Sequence, residues 1–208
     1  TYNRGQTVRW YDLSLGKLPF LIQNELIELP EGLLSHIERS RLLGKQIGTI
    51  HGVDLYSVDL AIATHDLAKN LTGAELMVEC KKMCVDIEDE YLLLPQLLHG
   101  PVAAAWLKNK FNVVDEFVIE AVRYHTTGYP DMNPVAKVVF LADKLDKEKI
   151  KRNPGLEKVL SISELNLDAA VLEYINIQIK SLIEQNRIIH PYSIACRNNL
   201  MKKYSDSN

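Results

Sequence analysis

The histidines are the side chains of this sequence with the clearest capacity for chemistry. His65 follows Val58, Ala61 and Ile62 at helical spacing, so it points where an apolar face would otherwise continue. His125 ends a second such face after Val118, Ala121 and Val122, Asp143 ends a third after Ala136, Val139 and Phe140, and His36 begins a stripe through Leu43 and Ile47. One histidine on an apolar face is ordinarily a core imidazole hydrogen-bonded to a neighbour. Ligand-type side chains at the inward positions of four helices change the balance. Each left unsatisfied costs about 1 to 3 kcal/mol, and one shared metal centre satisfies them all. A buried carboxylate such as Asp66 or Asp143 strengthens the case, because an ionised group inside a core needs a cation beside it. His99 stands directly before Gly100 and Pro101, at the lip of a turn where a new helix is expected to start, and reaches inward from there. Imidazole and carboxylate without thiolate suit iron, manganese or another borderline divalent ion better than a structural zinc.

Other groups carry less. Cys80 and Cys84 are four apart on an expected helix with no histidine or further cysteine near in sequence, so ordinary burial is expected of them. His51, beside Gly52, reads as a loop histidine, and the acidic cluster Asp86, Glu88, Asp89 and Glu90 as a solvated face. No Walker-type glycine-rich loop, Gly-x-Gly-x-x-Gly fingerprint or His-Glu-x-x-His helix occurs, so kinase-like, Rossmann and zincin chemistry lack their parts.

The elements that must position these residues are helices. From about Leu33 to Asn199 the pattern is helical, with breaks at Gly52, Gly73, Pro95, Gly100-Pro101, Gly128 to Pro130, Asn133-Pro134 and Pro154-Gly155. Asp115 is placed to cap a helix running through His125, Asn133 precedes Pro134 at a first turn, and Asp168 is expected to open a long core helix with a stripe of Val171, Leu172, Ile175, Ile179, Leu182 and Ile183. The chain has 208 residues, 47% of them hydrophobic, which fits one domain with a sizeable core. Its 24 basic and 27 acidic residues, for a net charge of -3, show no footprint for nucleic acid or an anionic membrane. Nor is there an apolar run of spanning length or a leader pattern. Three cysteines build no disulfide framework, so a cytoplasmic location is expected. The chain opens at Thr1, which suits a trimmed chain or part of a longer polypeptide.

The stretch His65-Asp66-Leu67-Ala68-Lys69, with His36 upstream and Asp143 downstream, resembles the HD superfamily of metal-dependent phosphohydrolases. Longer stretches resemble one branch of it, the YqeK-type symmetrical diadenosine tetraphosphate hydrolases. These are Leu98-His99-Gly100-Pro101-Val102-Ala103, Ala121-Val122-Arg123-Tyr124-His125-Thr126-Thr127-Gly128, Leu141-Ala142-Asp143, and Ile189-His190-Pro191 followed by Ala195, Arg197 and Asn198. Their order matches too, and the resemblance covers roughly residues 30 to 202. One departure is Asp146-Lys147, where the family tends to have Glu-Pro. The helix around His36 is a loose match. The resemblance implies an all-α HD-domain bundle with the metal centre between core helices. Residues 31–204 form that domain, 205–208 a disordered tail, and 1–30 an arm of unknown function. Arg4-Gly5-Gln6 and Val8-Arg9-Trp10 in the arm resemble the tail of nicotinate-nucleotide adenylyltransferases, as a fusion remnant would.

By the same resemblance His36, His65, Asp66 and Asp143 hold one iron, and His99 and His125 a second, with Asp66 bridging. Manganese or another divalent metal is an alternative. Such a pair lowers the pKa of a shared water towards neutrality, and attack by the resulting hydroxide is the expected step. The implied substrate is a dinucleoside tetraphosphate cut at its central bridge into two nucleoside diphosphates, which makes the chain a hydrolase acting on acid anhydrides. Asp66 and Lys69 are the expected catalytic residues, and Lys69, Arg123, Thr126, Thr127 and Gly128 the expected contacts to substrate. Each has a plainer reading: Lys69 as a surface lysine, Arg123 as a residue off the His125 face, and Thr126 to Gly128 as a helix C-cap with Gly128 left-handed. His190 and Arg197 are expected to fasten the last helices. The alternatives are an HD nucleotidase or deoxynucleotide phosphohydrolase, which would not require the His99 and His125 stretches, and a non-catalytic nucleotide-binding regulatory module. A homodimer is compatible with the sequence.

Overall fold

Residues 134–144 read Pro-Val-Ala-Lys-Val-Val-Phe-Leu-Ala-Asp-Lys, apolar nearly all the way round, and a helix of that kind has to be enclosed by others. It is enclosed in the computed structural model, which describes residues 18–205 and contains helices without strands among them. The order is α1 (Phe20–Ile27), α2 (Glu31–Ile50), α3 (Leu55–Thr64), α4 (Gly73–Lys82), α5 (Asp89–Leu93), a 3-10 turn (Pro95–Leu98), α6 (His99–Asn109), α7 (Glu116–Tyr124), α8 (Pro134–Lys144), α9 (Lys147–Arg152), α10 (Leu156–Ser163), α11 (Leu167–Glu184) and α12 (Pro191–Ser205). Helix α8 is the enclosed one, packed by α2, α3, α7 and α11. Val138, Val139, Phe140, Leu141 and Ala142 are buried there completely. The all-α expectation holds.

Two of the expected caps are in place. Asp115 accepts from the amides of Phe117 and Val118 at the start of α7, and Asn133 accepts from Ala136 with Pro134 in the first turn of α8. Such caps contribute about 1 kcal/mol each. Helix α11 instead opens at Leu167 with Asn166 as its cap, and Asp168, inside its first turn, pairs with Lys137 at 2.6 Å. Its expected core stripe fades towards the C-terminal end: Val171 and Ile175 are buried, Leu172 and Ile179 are partly buried against the core, and Ile183 is 61% exposed. Of the expected arm, residues 1–17 lie outside the described residues, and α1 seats Ile22 and Leu26 in the core. Ser205, expected in the tail, closes α12, and residues 206–208 lie outside the described residues.

Helices α3 and α7 both stop one residue short of a histidine. His65 and His125 are therefore C-caps outside the helices proper, yet both are buried and point inward as their spacing suggested. Helix α6 lies so close to α7 that a Cβ on Gly100 would stand 2.6 Å from the Arg123 carbonyl oxygen. Only glycine permits that approach, which brings His99 beside His125. No helix among the described residues is long and apolar enough to cross a membrane.

Candidate metal centre

His65, His99 and His125 share one local device. His65 and His125 cap α3 and α7 and His99 follows the 3-10 turn where α6 begins, and each turns Nδ1 onto the carbonyl three residues back: Ile62 at 2.7 Å, Gln96 at 2.6 Å and Val122 at 2.8 Å. The end of a helix leaves carbonyls without an intrahelical donor, and a carbonyl can only accept. Nδ1 therefore carries the proton in the neutral ring, and Nε2 presents a lone pair. The three lone pairs converge. His99 Nε2 lies 3.0 Å from His125 Nε2, and Asp66 Oδ1 lies 3.2 Å from the first and 3.4 Å from the second. Asp66 Oδ2 faces His65 Nε2 at 3.4 Å, so the two carboxylate oxygens look towards different imidazoles. His36 projects from within α2, with Nε2 3.0 Å from Asp143 Oδ1 and Nδ1 2.9 Å from Asp146 Oδ2.

Among the unprotonated Nε2 atoms of His99 and His125 and the Asp66 carboxylate these contacts set acceptor against acceptor, and a cation between them resolves the conflict. His65 Nε2 and Asp66 Oδ1 are buried with no hydrogen-bond partner. Within two groups, His36, His65 and Asp143, and His65, Asp66 and His125, the ligand-type atoms lie within 4.8 Å of one another. The backbone adds to the demand for positive charge: α3, α7 and α8 all point their C-terminal, electronegative ends at this spot. Burial alone would lower the His65 pKa, yet the Asp66 and Asp143 carboxylates outweigh it and raise it to about 9. Burial also opposes ionisation of Asp66 and Asp143, but His65, His125 and His99 hold the first well below the usual carboxylate range, and Lys144, Lys149, His36 and His65 hold the second there. His125, where burial and its histidine neighbours act together, is pushed down to about 3 and is a neutral donor. A neutral His125 and two ionised carboxylates are ready for a divalent ion, whereas His65, held protonated by the facing Asp66 and Asp143 carboxylates, would release its Nε2 proton on binding one.

A cleft of about 480 Å³ opens over the centre, with His36, Asp66, Asp143 and Thr126 on its floor and Lys69, Lys144 and Lys149 around it. Lys69 arrives from a turn after α3 and not from the helical face expected of it; its Nζ lies 3.1 Å from His99 Nε2 and 3.6 Å from Asp66 Oδ1. The expected threonines separate. Thr126 Oγ1 lies 3.1 Å from His125 Nε2, whereas Thr127 is buried, donates to the Gly128 carbonyl and accepts at its own carbonyl from Ser193. Gly128 has φ +67° and ends the turn, as a left-handed cap does. Arg123 does not line the cleft; its guanidinium carbon sits 5.4 Å from the Tyr124 ring, and its charge acts on Tyr91 and Tyr192.

Lys144 and Lys149 escaped sequence reasoning, and Asp146 entered it only as a departure from the family pattern. Lys144 Nζ bonds Asp143 Oδ2 and the His125 carbonyl, and Lys149 Nζ bonds the Asp143 carbonyl and Oδ1. A basic residue beside a helix-terminal aspartate was the available signal for Lys144; Lys149 depends on the turn into α9. Elsewhere, His190 packs its ring 4.7 Å from Tyr91, and Arg197 ties α12 to Asn176 of α11, both fastening the last helices. His51 caps α2 and contacts the Ser163 carbonyl. Cys80 is buried as expected, but Cys84 is exposed because it follows the end of α4 in a left-handed turn.

The HD domain family model matches residues 33–148, a span that contains all the candidate ligands and Asp146. The symmetrical bis(5'-nucleosyl)-tetraphosphatase of Halalkalibacterium halodurans is 30% identical over 155 residues, 74% of this chain and 81% of that protein. The protein of the same name from Staphylococcus aureus is 28% identical over 181 residues, 86% of this chain and 91% of that one. Among solved structures, a predicted HD superfamily hydrolase involved in NAD metabolism from Clostridium acetobutylicum superposes with a TM-score of 0.83 at 26% identity, covering 88% of this chain and 96% of the other.

Proposed function

The chain belongs to the HD domain family, and from that premise we propose that it is a metal-dependent phosphohydrolase that cleaves diadenosine tetraphosphate symmetrically to two ADP. The observation that carries this reading is the second histidine pair. His99 and His125 meet at 3.0 Å over Asp66, and a nucleotidase needing only His36, His65, Asp66 and Asp143 would leave that pair without a task.

His36, His65, Asp66 and Asp143 would hold one ion and His99 and His125 a second, with Asp66 shared. Iron at two per chain is the proposed occupant, and manganese or another divalent ion a substitute. When bound, the metals lower the pKa of a water molecule and neutralise charge on phosphate. The chain's own residues do the rest. Backbone carbonyls hold three rings with Nε2 aimed inward, so little reorganisation accompanies the reaction. Lys69, Lys144 and Lys149 bring positive charge to the cleft wall, where the oxygens of a transferring phosphoryl group need it. Thr126 offers a hydroxyl. The water gives up a proton to solvent and its oxygen forms a bond to the second phosphorus from one nucleoside, while the central phosphorus–oxygen bridge bond breaks and the leaving ADP takes the bridging oxygen with its electron pair. Arg123 lies off the cleft, so its proposed part is to support the α7 end that carries His125. The proposed setting is the cytoplasm, in keeping with the free thiols of Cys80, Cys84 and Cys196, and a homodimer is the proposed assembly.

The test is to incubate iron-loaded protein, prepared without oxygen, with diadenosine tetraphosphate and to separate the products. ADP alone is expected. AMP with ATP, or inorganic phosphate, would overturn the assignment.

A further inference from the structure

His36 differs from the other candidate histidine ligands in where it stands. It lies inside α2 (Glu31–Ile50), where backbone carbonyls are engaged by the helix itself. No carbonyl is free to take its Nδ1 proton. A carboxylate from a distant segment does so instead: Asp146 Oδ2, 2.9 Å from Nδ1. Ser40 Oγ, the other neighbour of Nδ1, is 3.5 Å away, at the outer limit of a hydrogen bond. Asp146 is 2% exposed and doubly anchored through its other oxygen, which accepts from Arg39 Nε at 3.0 Å and from the Glu148 amide at 2.9 Å.

We propose that Asp146 is a positioning residue that keeps the His36 proton on Nδ1 and so commits Nε2 to the metal centre, replacing with a side chain the carbonyl that serves the other three histidines. The inference rests on the metal-centre reading above. Its force comes from the division of labour between the two oxygens. Oδ1 already receives two donors, so in Asp146→Asn the amide oxygen must occupy that position. The amide nitrogen then falls where Oδ2 was, as a donor facing Nδ1. A donor there can be met only by an unprotonated Nδ1, which sends the ring proton to Nε2 and removes the lone pair that a metal needs. Asparagine is as good a helix N-cap as aspartate, so α9 keeps its start. Arg39 keeps its acceptor as well.

Zinc is the probe, because it is diamagnetic and binds the same donor types. Ring nitrogen shifts of His36 in zinc-loaded protein, chelator-competition affinities and the melting midpoint of metal-free protein are measured for the native chain, Asp146→Asn and Arg39→Gln. The native chain should show His36 protonated at Nδ1 with Nε2 on zinc. Asp146→Asn should bind one ion about 10 to 100 times more weakly, as expected when an outer partner of a ligand is lost, with an unchanged midpoint. Arg39→Gln, which removes an anchor but not the bond to Nδ1, should bind zinc like the native chain. Native affinity in Asp146→Asn, equal losses in both variants, or a native His36 unprotonated at Nδ1 would each overturn the inference. Failure of the native chain to bind zinc would overturn the metal centre and this inference with it, an outcome read on the native protein alone.

Discussion

Around His65, His99 and His125 the bond that aims each ring closes within three residues of chain, whereas His36 is aimed by Asp146 and Asp143, 110 and 107 residues away. The first arrangement forms as soon as its helix ends. The second exists only once α2 has docked on α8 and α9 has turned back. The two halves of one centre should therefore respond differently to substitution. Ligands oriented by their own backbone are lost when the ligand itself is changed or its whole helix is displaced, and the ligand oriented from afar can be disabled by a single distant side chain.

The largest effect is expected from His125→Ala. Turnover per folded molecule should fall by more than about a hundredfold, since loss of a mere outer partner already costs about 10 to 100 times in affinity or activity. Bound iron should fall with it, while α7 stays buried through Val118, Ala121 and Val122. A core histidine would behave otherwise, with a stability loss of about 1 to 3 kcal/mol and normal turnover; kinetics and elemental analysis on the same sample separate the two.

Gly100→Ala tests whether the local half also needs its helices in register. The new Cβ meets backbone at 2.6 Å, so α6 must retreat from α7. A cost of about 1 to 3 kcal/mol is expected, together with loss of the ion nearer His99. Denaturant midpoints and iron stoichiometry check it, and a full complement of two ions would show that His99 tolerates displacement.

Lys69→Ala should lower turnover by roughly tenfold, short of the hundred- to thousandfold seen for a fully buried donor, because Lys69 is half exposed. Iron content should not change. Retained turnover would return Lys69 to the surface.

The smallest contrast is between adjacent threonines. Thr127→Val should cost about 1 kcal/mol of stability and leave turnover unchanged, because its hydroxyl serves the Gly128 carbonyl. Thr126→Val should reverse the pattern, with native stability and a few-fold slower reaction. Thermal melts beside steady-state rates decide it.

Much of this molecule can be read from its periodicity. The apolar faces that end at His65, His125 and Asp143 and the Asn133-Pro134 start of α8 depend on neighbours within a few residues and appear as expected, and Gly128 takes the left-handed conformation of its plainer C-cap reading. Periodicity cannot locate the last hydrogen bond of a helix, so it does not show that α3 and α7 stop one residue before their histidines or that Lys69 reaches the cleft from a turn. Nor does it show that Arg123, inside a family-like stretch, turns away from the cleft. The partnership of His36 with Asp146 belongs to tertiary structure alone. It arises through a polar bond between segments 110 residues apart that share no local pattern, and only the packing of α2 on the enclosed α8 brings them within hydrogen-bond range.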